Sequence, residues 1–438
     1  MTLSLTPAYN LKAVLKETGI KPDVLRAWER RYGIPMPQRT SGGHRLYSEH
    51  DMEMIKWLIS RQNDGLSISR AAEMWKEHIA QGRDPLGEIQ VRPAAAPAVY
   101  AQMETGVEAI RSQWLAACLN FNEIAAEQAL NLAFSIHPVE TVCLEVIQHG
   151  MVEIGSLWYE NRASVQQEHF ASALAMRRMD ALMAASPAPT RAQTVIVGCP
   201  ADEWHAFTPM LLALFLRRRG LNIIYLGANV PPAHFVETVE TVNASMVVLA
   251  SQQLNTAASL QQSAALLAVR GMSVAFGGRI FAMHPDLQTR IAGHYLGDRV
   301  DTAIDRVENL LAAHPGIPQP LLPSLAYTET LQAFGARRAL VESSLNEEIR
   351  SRGGSETYLT IANKFMGDNL LAALQLGDVG YLNSEIDWLT VLLKAQNLAR
   401  NVVYDYLEYY SAAVSSQLGP QAALITGWLQ DYLRTGRE

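Results

Sequence analysis

Four short apolar runs rich in β-branched residues recur between residues 194 and 277, with helical stretches between them. They begin at Thr194, Asn222, Met246 and Met272. Strands that alternate with helices pair in parallel, and such a sheet is covered on both faces, so its strands are apolar throughout. The pattern therefore predicts a Rossmann-like parallel sheet between residues 191 and 314.

The regions around this sheet have helical periodicity. Apolar residues at three- and four-residue spacing predict a four-helix bundle over residues 104–190 and an all-α domain over residues 327–438. Two segments rich in proline and alanine, 82–103 and 315–326, predict linkers. Together with residues 1–81, we expect a multidomain α and α/β protein.

Composition narrows the class of protein. No run approaches the roughly 20 apolar residues of a membrane span, and the N-terminus lacks the features of a signal peptide. Three widely spaced cysteines suit a reducing compartment, so we expect a soluble, cytoplasmic protein. The net charge of −7 disfavours nucleic-acid binding by the whole surface, so any DNA contact must be local.

Residues 1–81 have the pattern of a winged helix-turn-helix. A short helix over residues 10–17, a turn and a second helix from Pro22 to Tyr32 are predicted, and Gly42-Gly43 suits the tip of a β-hairpin wing. Residues 21–47 hold six Lys/Arg against two Asp/Glu, the local basic charge that phosphate binding requires. The candidate DNA contacts are Arg26, Arg30, Arg31, Arg39, His44, Arg45 and Tyr47.

The string from Leu25 to Tyr47, with Trp-Glu-Arg-Arg-Tyr-Gly-Ile-Pro and Gly-Gly-His-Arg-Leu-Tyr, resembles the winged-helix domain of MerR-type regulators. The resemblance covers about residues 8–78. It implies a dimer that reads two half-sites of double-stranded operator DNA, with recognition helices in major grooves. Some of the arginines could instead pair with Glu29 or Asp23 and brace the fold, as on a solvated charged helix.

Polar and small residues collect where three of the predicted strands end. His205 follows the first strand, Ser251 the third and Gly277-Gly278 the fourth, at the edge where open parallel sheets bind ligands. A lone loop histidine is usually a surface residue. A protein-held cobalt corrin, however, needs an imidazole below the metal, and small residues allow the close approach that its nucleotide tail requires.

These positions resemble cobalamin-binding domains with a Glu/Asp-x-His-x-x-Gly, Ser and Gly-Gly pattern, although Thr208 replaces the first glycine. The resemblance implies that His205 is the axial cobalt ligand. In such domains a neighbouring carboxylate often tunes the histidine by a hydrogen bond. Glu203 is the candidate for that role, which the sequence leaves open.

A candidate cap for the upper face of the corrin precedes the sheet. Ser164-Val-Gln-Gln predicts a capping box, with Glu168 and His169 in the first turns of the following helix and Trp158 at the end of the preceding one. These side chains could equally be core and surface residues. The Trp-x9-Glu-His spacing nevertheless resembles the helical cap of CarH-type light-sensing regulators, in which Trp and Glu hold the adenosyl group.

The resemblance implies a light-responsive regulator rather than an enzyme, because a DNA-binding domain would be out of place in a cobalamin enzyme. Adenosylcobalamin would stabilise a homo-oligomer, dimer or tetramer, on operator DNA in the dark, and light cleavage of the cobalt–carbon bond would release it. The family commonly has a histidine after the cap tryptophan. Here Tyr159 occupies that position, which puts a second histidine ligand in doubt.

Residues 327–438 hold no His or Cys but eight of the fifteen tyrosines, which disfavours ligated haem. Their aromatic residues could form the core of a domain that binds a protein partner. Alternatively, Tyr406, Tyr409 and Tyr410 with Arg400 could line a pocket for a non-covalent bilin such as biliverdin. The pattern vaguely resembles globin-like and phycobiliprotein-like sensors. An alternative function is thus a MerR-type regulator that responds through this domain, with the cobalamin fold vestigial.

Overall fold

The computed structural model describes residues 4, 6–40, 42–63, 68–80, 84–88, 106–352, 359–395 and 400–435. The chain divides into two compact units, residues 1–103 and 104–438. Most of the linker predicted at 82–103 and the Gly353-Gly354 pair lie outside the described residues. Within those ranges, no helix is both long and apolar enough to cross a bilayer.

The first unit combines short helices with a small antiparallel sheet, in strand order β1-β3-β2. Its strands are β1 (Tyr9–Asn10), β2 (Gln38–Arg39) and β3 (Arg45–Tyr47). Its helices are α1 (Leu11–Thr18), α2 (Pro22–Tyr32), α3 (Glu49–Asn63), α4 (Ile68–Ala80) and α5 (Pro85–Glu88).

Local sequence accounts for the boundaries of the helix-turn-helix. The Asn10 side chain accepts a hydrogen bond from the Ala13 backbone N–H and so starts α1, while Gly19, in the left-handed region, ends it. Pro22 opens α2 and Gly33 closes it in the same way. The winged helix-turn-helix predicted from the sequence is thus confirmed, with β2 and β3 as the wing.

The second unit begins with four helices, as predicted. They are α6 (Val107–Leu119), α7 (Glu123–Ile136), a long helix, and α10 (Val165–Ala184). The long helix runs through α8 (Val139–Thr141), a π-helical stretch (Val142–Gln148) and α9 (His149–Tyr159). The capping box at Ser164 starts α10, because its hydroxyl accepts from the Gln167 N–H and the Gln167 side chain accepts from the Ser164 N–H.

A parallel sheet of five strands follows, in the order β5-β4-β6-β7-β8. The strands are β4 (Thr194–Pro200), β5 (Asn222–Val230), β6 (Met246–Ala250), β7 (Val274–Gly277) and β8 (His294–Tyr295). The helices between and after them are α11 (Phe207–Arg218), α12 (Pro232–Val242), α13 (Leu254–Ala268), α14 (Arg279–Met283) and α15 (Val300–Ala313). Four of the strands are those predicted; the two-residue β8 was missed.

This strand order fixes where a ligand can bind. The chain moves from β4 to β5 on one side and then to β6 on the other, so the crevice opens between the carboxyl ends of β4 and β6. Open α/β sheets bind ligands at such a topological switch point.

The C-terminal helices share a hydrophobic core with one face of the sheet. They are α16 (Leu325–Ser351), α17 (Leu359–Leu376), α18 (Leu382–Ala395), α19 (Arg400–Leu418) and α20 (Ala423–Thr435). Ile196 and Phe276 belong to the same core as Phe334 and Leu370, whereas Val197 on the opposite face packs with the helical bundle. The region is all-helical as predicted, but α16 starts inside the segment 315–326 that was expected to be a linker.

Two glycines of α9 give a matched test of packing in the bundle. A Cβ at Gly150 would lie 2.6 Å from the Trp114 ring, whereas a Cβ at Gly155 would meet nothing within 4 Å. We expect Gly150→Ala to destabilise the protein by about 1–3 kcal/mol through overpacking. Gly155→Ala should stabilise it by up to about 1 kcal/mol, since alanine favours the helix.

Thermal unfolding followed by circular dichroism checks this pair. The midpoint should fall for Gly150→Ala and hold or rise for Gly155→Ala. Equal midpoints for both variants would contradict the close packing of α9 against Trp114.

Candidate metal centre and nucleic-acid interface

His205 lies in the loop between β4 and α11, at the crevice between β4 and β6. Two residues before it, the Glu203 side chain is almost fully buried, with 1% of its surface exposed. The His205 side chain, by contrast, is 58% exposed. The loop thus buries a carboxylate and presents an imidazole at the position where this fold binds ligands.

Four hydrogen bonds satisfy the buried Glu203 carboxylate. Its Oε1 accepts from the His205 backbone N–H at 2.9 Å and from His205 Nδ1 at 2.6 Å. Its Oε2 accepts from the Gln252 backbone N–H and the Thr256 hydroxyl, both at 2.7 Å. Burial alone would raise the pKa of Glu203, but these donors outweigh it and the pKa lies below its usual value.

The Glu203 bond determines which nitrogen of His205 is available. With Nδ1–H donating to Glu203, the lone pair is on Nε2, which has no hydrogen-bond partner in the described part of the chain. The Glu203 hydrogen bond also raises the pKa of His205, while burial and Arg279 oppose the rise. A ring oriented by a carboxylate through its other nitrogen is the usual arrangement of a metal-ligating histidine.

The donor set fits a metal that brings most of its own ligands. Among the described residues there is no group of three or more His, Cys, Asp or Glu side chains that could hold a metal ion. A single imidazole suits the cobalt of a corrin, whose ring supplies four nitrogen donors. The residues present fit a corrin cofactor, whose cobalt His205 would hold through Nε2.

Ser251 and the glycine pair meet at the same edge of the sheet, directly against each other. Gly278 has φ +122°, and a Cβ there would lie 1.9 Å from the Ser251 carbonyl oxygen. The buried Ser251 hydroxyl donates to the Thr256 carbonyl at 2.9 Å. Gly278 is thus required by backbone packing within the protein, whereas Gly277 would tolerate a Cβ at 3.6 Å from its nearest contact, the Gly297 carbonyl oxygen.

The cap residues lie on α9 and α10, which pack against each other. Trp158, half-buried, is in the last turn of α9, and Glu168 is in the first turn of α10. The negative charge of Glu168 contributes to the raised pKa of His205. His169 is 74% exposed, and its Nδ1 lies 2.7 Å from the Glu168 carboxylate.

Tyr159, the residue at which the sequence departs from the CarH-type pattern, contacts the C-terminal region. Its hydroxyl accepts a hydrogen bond of 2.5 Å from Trp388 Nε1 on α18. Its ring lies 5.0 Å from that of Trp158. No sequence pattern predicts this contact.

In the first unit, the burial of Tyr47 contradicts the prediction that this residue contacts DNA. Its side chain is fully buried, and its hydroxyl donates to Glu29 at 2.5 Å; burial and this hydrogen bond raise the pKa of Tyr47. Arg45, half-buried, donates to the same carboxylate at 2.8 Å. For Arg45, the contact is the one that the alternative described, an arginine that pairs with Glu29. The burial of Tyr47 was not expected; side chains alternate along a strand, so one face of a strand that flanks the core is buried.

The other candidate DNA contacts are exposed. Arg26 has only a long ion pair to Asp23 at 3.7 Å, and Arg39 donates to the Gly43 carbonyl at the wing tip. Side chains with this exposure on α2 and the wing suit phosphate binding. The exposed set is Arg26, Arg30, Arg31, Arg39 and His44.

The tyrosines predicted to line a bilin pocket pack among residues of the C-terminal helices. Tyr410 is fully buried, and the Tyr406 hydroxyl donates to Asn363 at 2.9 Å. The Arg352 guanidinium lies 4.8 Å from the Tyr409 ring centroid. Tyr358 and the Arg400 side chain lie outside the described residues. These contacts favour the interpretation that the aromatic residues form a core.

Sequence reasoning missed the residues that hold Glu203. Thr256, fully buried in the first turn of α13, and the Gln252 backbone come from the loop after β6. The sequence feature that could have identified Thr256 is its position at the start of the helix that follows Ser251. Only the sheet topology shows that this loop lies beside the loop after β4.

Comparison with known protein families assigns three segments of the chain. Residues 9–77 match the MerR HTH family of regulatory proteins. Residues 110–183 and 193–303 match two families that are each described as a B12 binding domain. The chain therefore combines a MerR-type DNA-binding domain with B12-binding domains made of the bundle and the sheet.

Two curated proteins of Myxococcus xanthus are similar to large parts of the chain. The HTH-type transcriptional repressor CarH is 26% identical over 65% of this chain and 94% of its own length. The repressor CarA is 27% identical over 55% of this chain and 75% of its own length. A monomethylamine corrinoid protein from Methanosarcina barkeri aligns structurally over 47% of this chain and 100% of its own, with 15% identity and a TM-score of 0.41.

These findings define the class: a MerR-type, cobalamin-binding transcriptional regulator similar to CarH and CarA. The chain extends beyond the matched segments by its C-terminal helices.

Glu203→Gln tests the hydrogen-bond network without any cofactor. A glutamine amide would turn N–H groups toward the donors that now bind the carboxylate, so we expect the cofactor-free protein to lose about 1–3 kcal/mol of stability. The matched control is Glu237→Gln, on the exposed face of α12. Urea unfolding should show a loss for the first variant alone; equal stability of both would contradict the network.

Proposed function

We propose that the protein is a cobalamin-dependent, light-responsive transcriptional regulator. Bound to adenosylcobalamin, it forms an oligomer that occupies operator DNA in the dark and leaves it in the light. The observation that carries this proposal is the Glu203–His205 pair, which presents a free Nε2 at the switch point of the sheet. The same chain begins with a MerR-type DNA-binding domain.

The cofactor would supply a cobalt–carbon bond that visible light breaks. The protein's own residues would hold the cofactor from two sides. Glu203 holds the imidazole of His205 in one tautomer from below, and Trp158 with Glu168 stands on the cap side. A change in what the cap contacts would then shift the equilibrium between assembly states.

The comparisons support the regulatory part of this proposal. CarH and CarA are both named transcriptional repressors, in line with a regulator that acts at operator DNA. MerR-type domains bind DNA as dimers, so the basic unit of the assembly would be a homodimer reading two half-sites. The MerR match and the similarity to the repressor CarH favour a regulatory role.

His205→Ala should abolish tight cobalamin binding at the lower face. We expect dialysed wild-type protein to keep the absorption bands of adenosylcobalamin and the variant to lose them. His169→Ala, in the exposed cap histidine, is the control and should keep the cofactor in the dark. If His205→Ala retained cobalamin-dependent assembly, the alternative function through residues 327–438 would be favoured.

Illumination should change both the absorption spectrum and the size of the loaded protein. We expect size-exclusion chromatography to show a larger species in the dark and a smaller one after light, because the cap loses its contacts with the upper ligand. An oligomer of unchanged size after complete photolysis would contradict the assembly switch.

Arg30→Ala should weaken DNA binding through the phosphate backbone. Arg30 is exposed on α2, and loss of one phosphate contact should reduce the slope of log affinity against log salt by about 1. Lys76→Ala, on the exposed face of α4, is a charge-matched control. Fluorescence anisotropy with duplex DNA selected by the wild-type protein measures both; an unchanged slope for Arg30→Ala would contradict the assigned surface.

The alternative, a regulator that responds to a bilin or a protein partner, stays a prediction. Its supporting observation is that the C-terminal helices share a core with the sheet, so a ligand bound there could act on the site. Biliverdin added to the purified protein would give red absorbance if a bilin binds.

A further inference from the structure

A series of contacts between aromatic side chains connects the cap to the C-terminal helices. Trp388 Nε1 on α18 donates to the Tyr159 hydroxyl, and the two ring centroids are 6.2 Å apart in an edge-to-face arrangement. The Tyr159 ring in turn lies 5.0 Å from Trp158. Because Trp158 is a cap residue, α18 contacts the cap through one intervening side chain.

The same face of α18 also lies near the edge of the sheet. Ser384 precedes Trp388 by four residues, so both project from one side of the helix. Ser384 contacts His284, which directly follows α14. α14 begins at Arg279, directly after Gly278, and the Arg279 backbone N–H donates to the Gln252 side chain in the loop after β6. The helix thus contacts the segment that follows Gly278 as well as the cap.

The position of α18 is fixed by contacts that do not involve the cap. At its N-terminal end the Tyr381 hydroxyl donates to Asp286 at 2.6 Å, and Ser384 Oγ lies 2.9 Å from His284 Nε2. Asp286 and His284 belong to the segment that follows β7. Trp388 is therefore held by a support that is anchored to the sheet carrying His205.

We propose that this face of α18 forms a third side of the cobalamin site, where Trp388 positions the cap through Tyr159. The inference rests on the proposed function, because it assigns a role within the same site. Trp388 is a positioning residue: it holds the end of α9, where Trp158 lies, in register with the lower ligand. The C-terminal region thereby becomes part of cofactor recognition.

This role has a consequence for the choice of upper ligand. A cap held in place gains most from a bulky ligand that contacts it and least from a small one. Loosening Tyr159 should therefore weaken binding of adenosylcobalamin more than binding of cyanocobalamin, whose upper ligand is small. A general loosening of the domain would instead weaken the binding of both cofactors by the same factor.

The test is Trp388→Phe in the full chain, titrated in dim light with each cofactor and followed by absorbance. Loss of one hydrogen bond should weaken adenosylcobalamin binding about 3- to 10-fold and change cyanocobalamin binding less than about 2-fold. Trp57→Phe is the matched control: its ring packs edge-to-face on Trp75 in the first unit, with the ring centroids 5.3 Å apart. It should leave the ratio of the two affinities unchanged.

Tyr159→Phe removes the acceptor of the same bond and completes a double-mutant cycle. The double variant should bind adenosylcobalamin no more weakly than the weaker single variant, since the two changes break one interaction. Thermal unfolding of the cofactor-free variants checks that all of them fold.

Equal weakening of both cofactors, unchanged affinity, or tighter adenosylcobalamin binding by Trp388→Phe would each overturn the inference. Wild-type protein that binds neither cofactor would instead refute the proposed function itself. The two failures are therefore distinguishable.

Discussion

The site depends on one buried carboxylate. Glu203 accepts hydrogen bonds from its own loop and from the loop after β6, and so joins the two strand ends that border the crevice. A carboxylate with 1% exposure is tolerated only because every donor is in place. The orientation of His205 follows from that network, since the same oxygen that accepts its backbone N–H also accepts its Nδ1–H.

The parallel sheet packs against a different set of helices on each of its two faces. Alternate residues of its strands pack against the helical bundle on one face and join the core of the C-terminal helices on the other. The helices α9 and α10, His205 and α18 are therefore parts of a single compact unit, residues 104–438. In such a unit, a change at the cap can alter the packing of the C-terminal helices without any hinge between domains.

Local sequence patterns were sufficient to predict the helices and strands but not the contacts between them. The apolar runs, the capping box at Ser164 and the Gly-Gly wing tip each predicted their element correctly. Tyr47 was misplaced because neighbouring basic residues suggested a surface, whereas the strand buries it against Glu29. Thr256 and Trp388 were missed because their partners are 53 and 229 residues away in sequence, so only tertiary packing brings them together.

The central claim is that His205 binds the metal through Nε2, and electron paramagnetic resonance of protein loaded with cob(II)alamin tests it most directly. Labelling all histidines with ¹⁵N should convert the superhyperfine triplet of a ¹⁴N axial ligand into a doublet, because the nitrogen on cobalt then comes from the protein. The account predicts the doublet in wild-type protein and its loss in His205→Ala. A triplet that persists in labelled wild-type protein would show that the cofactor's own benzimidazole stays on the metal, and would contradict the account.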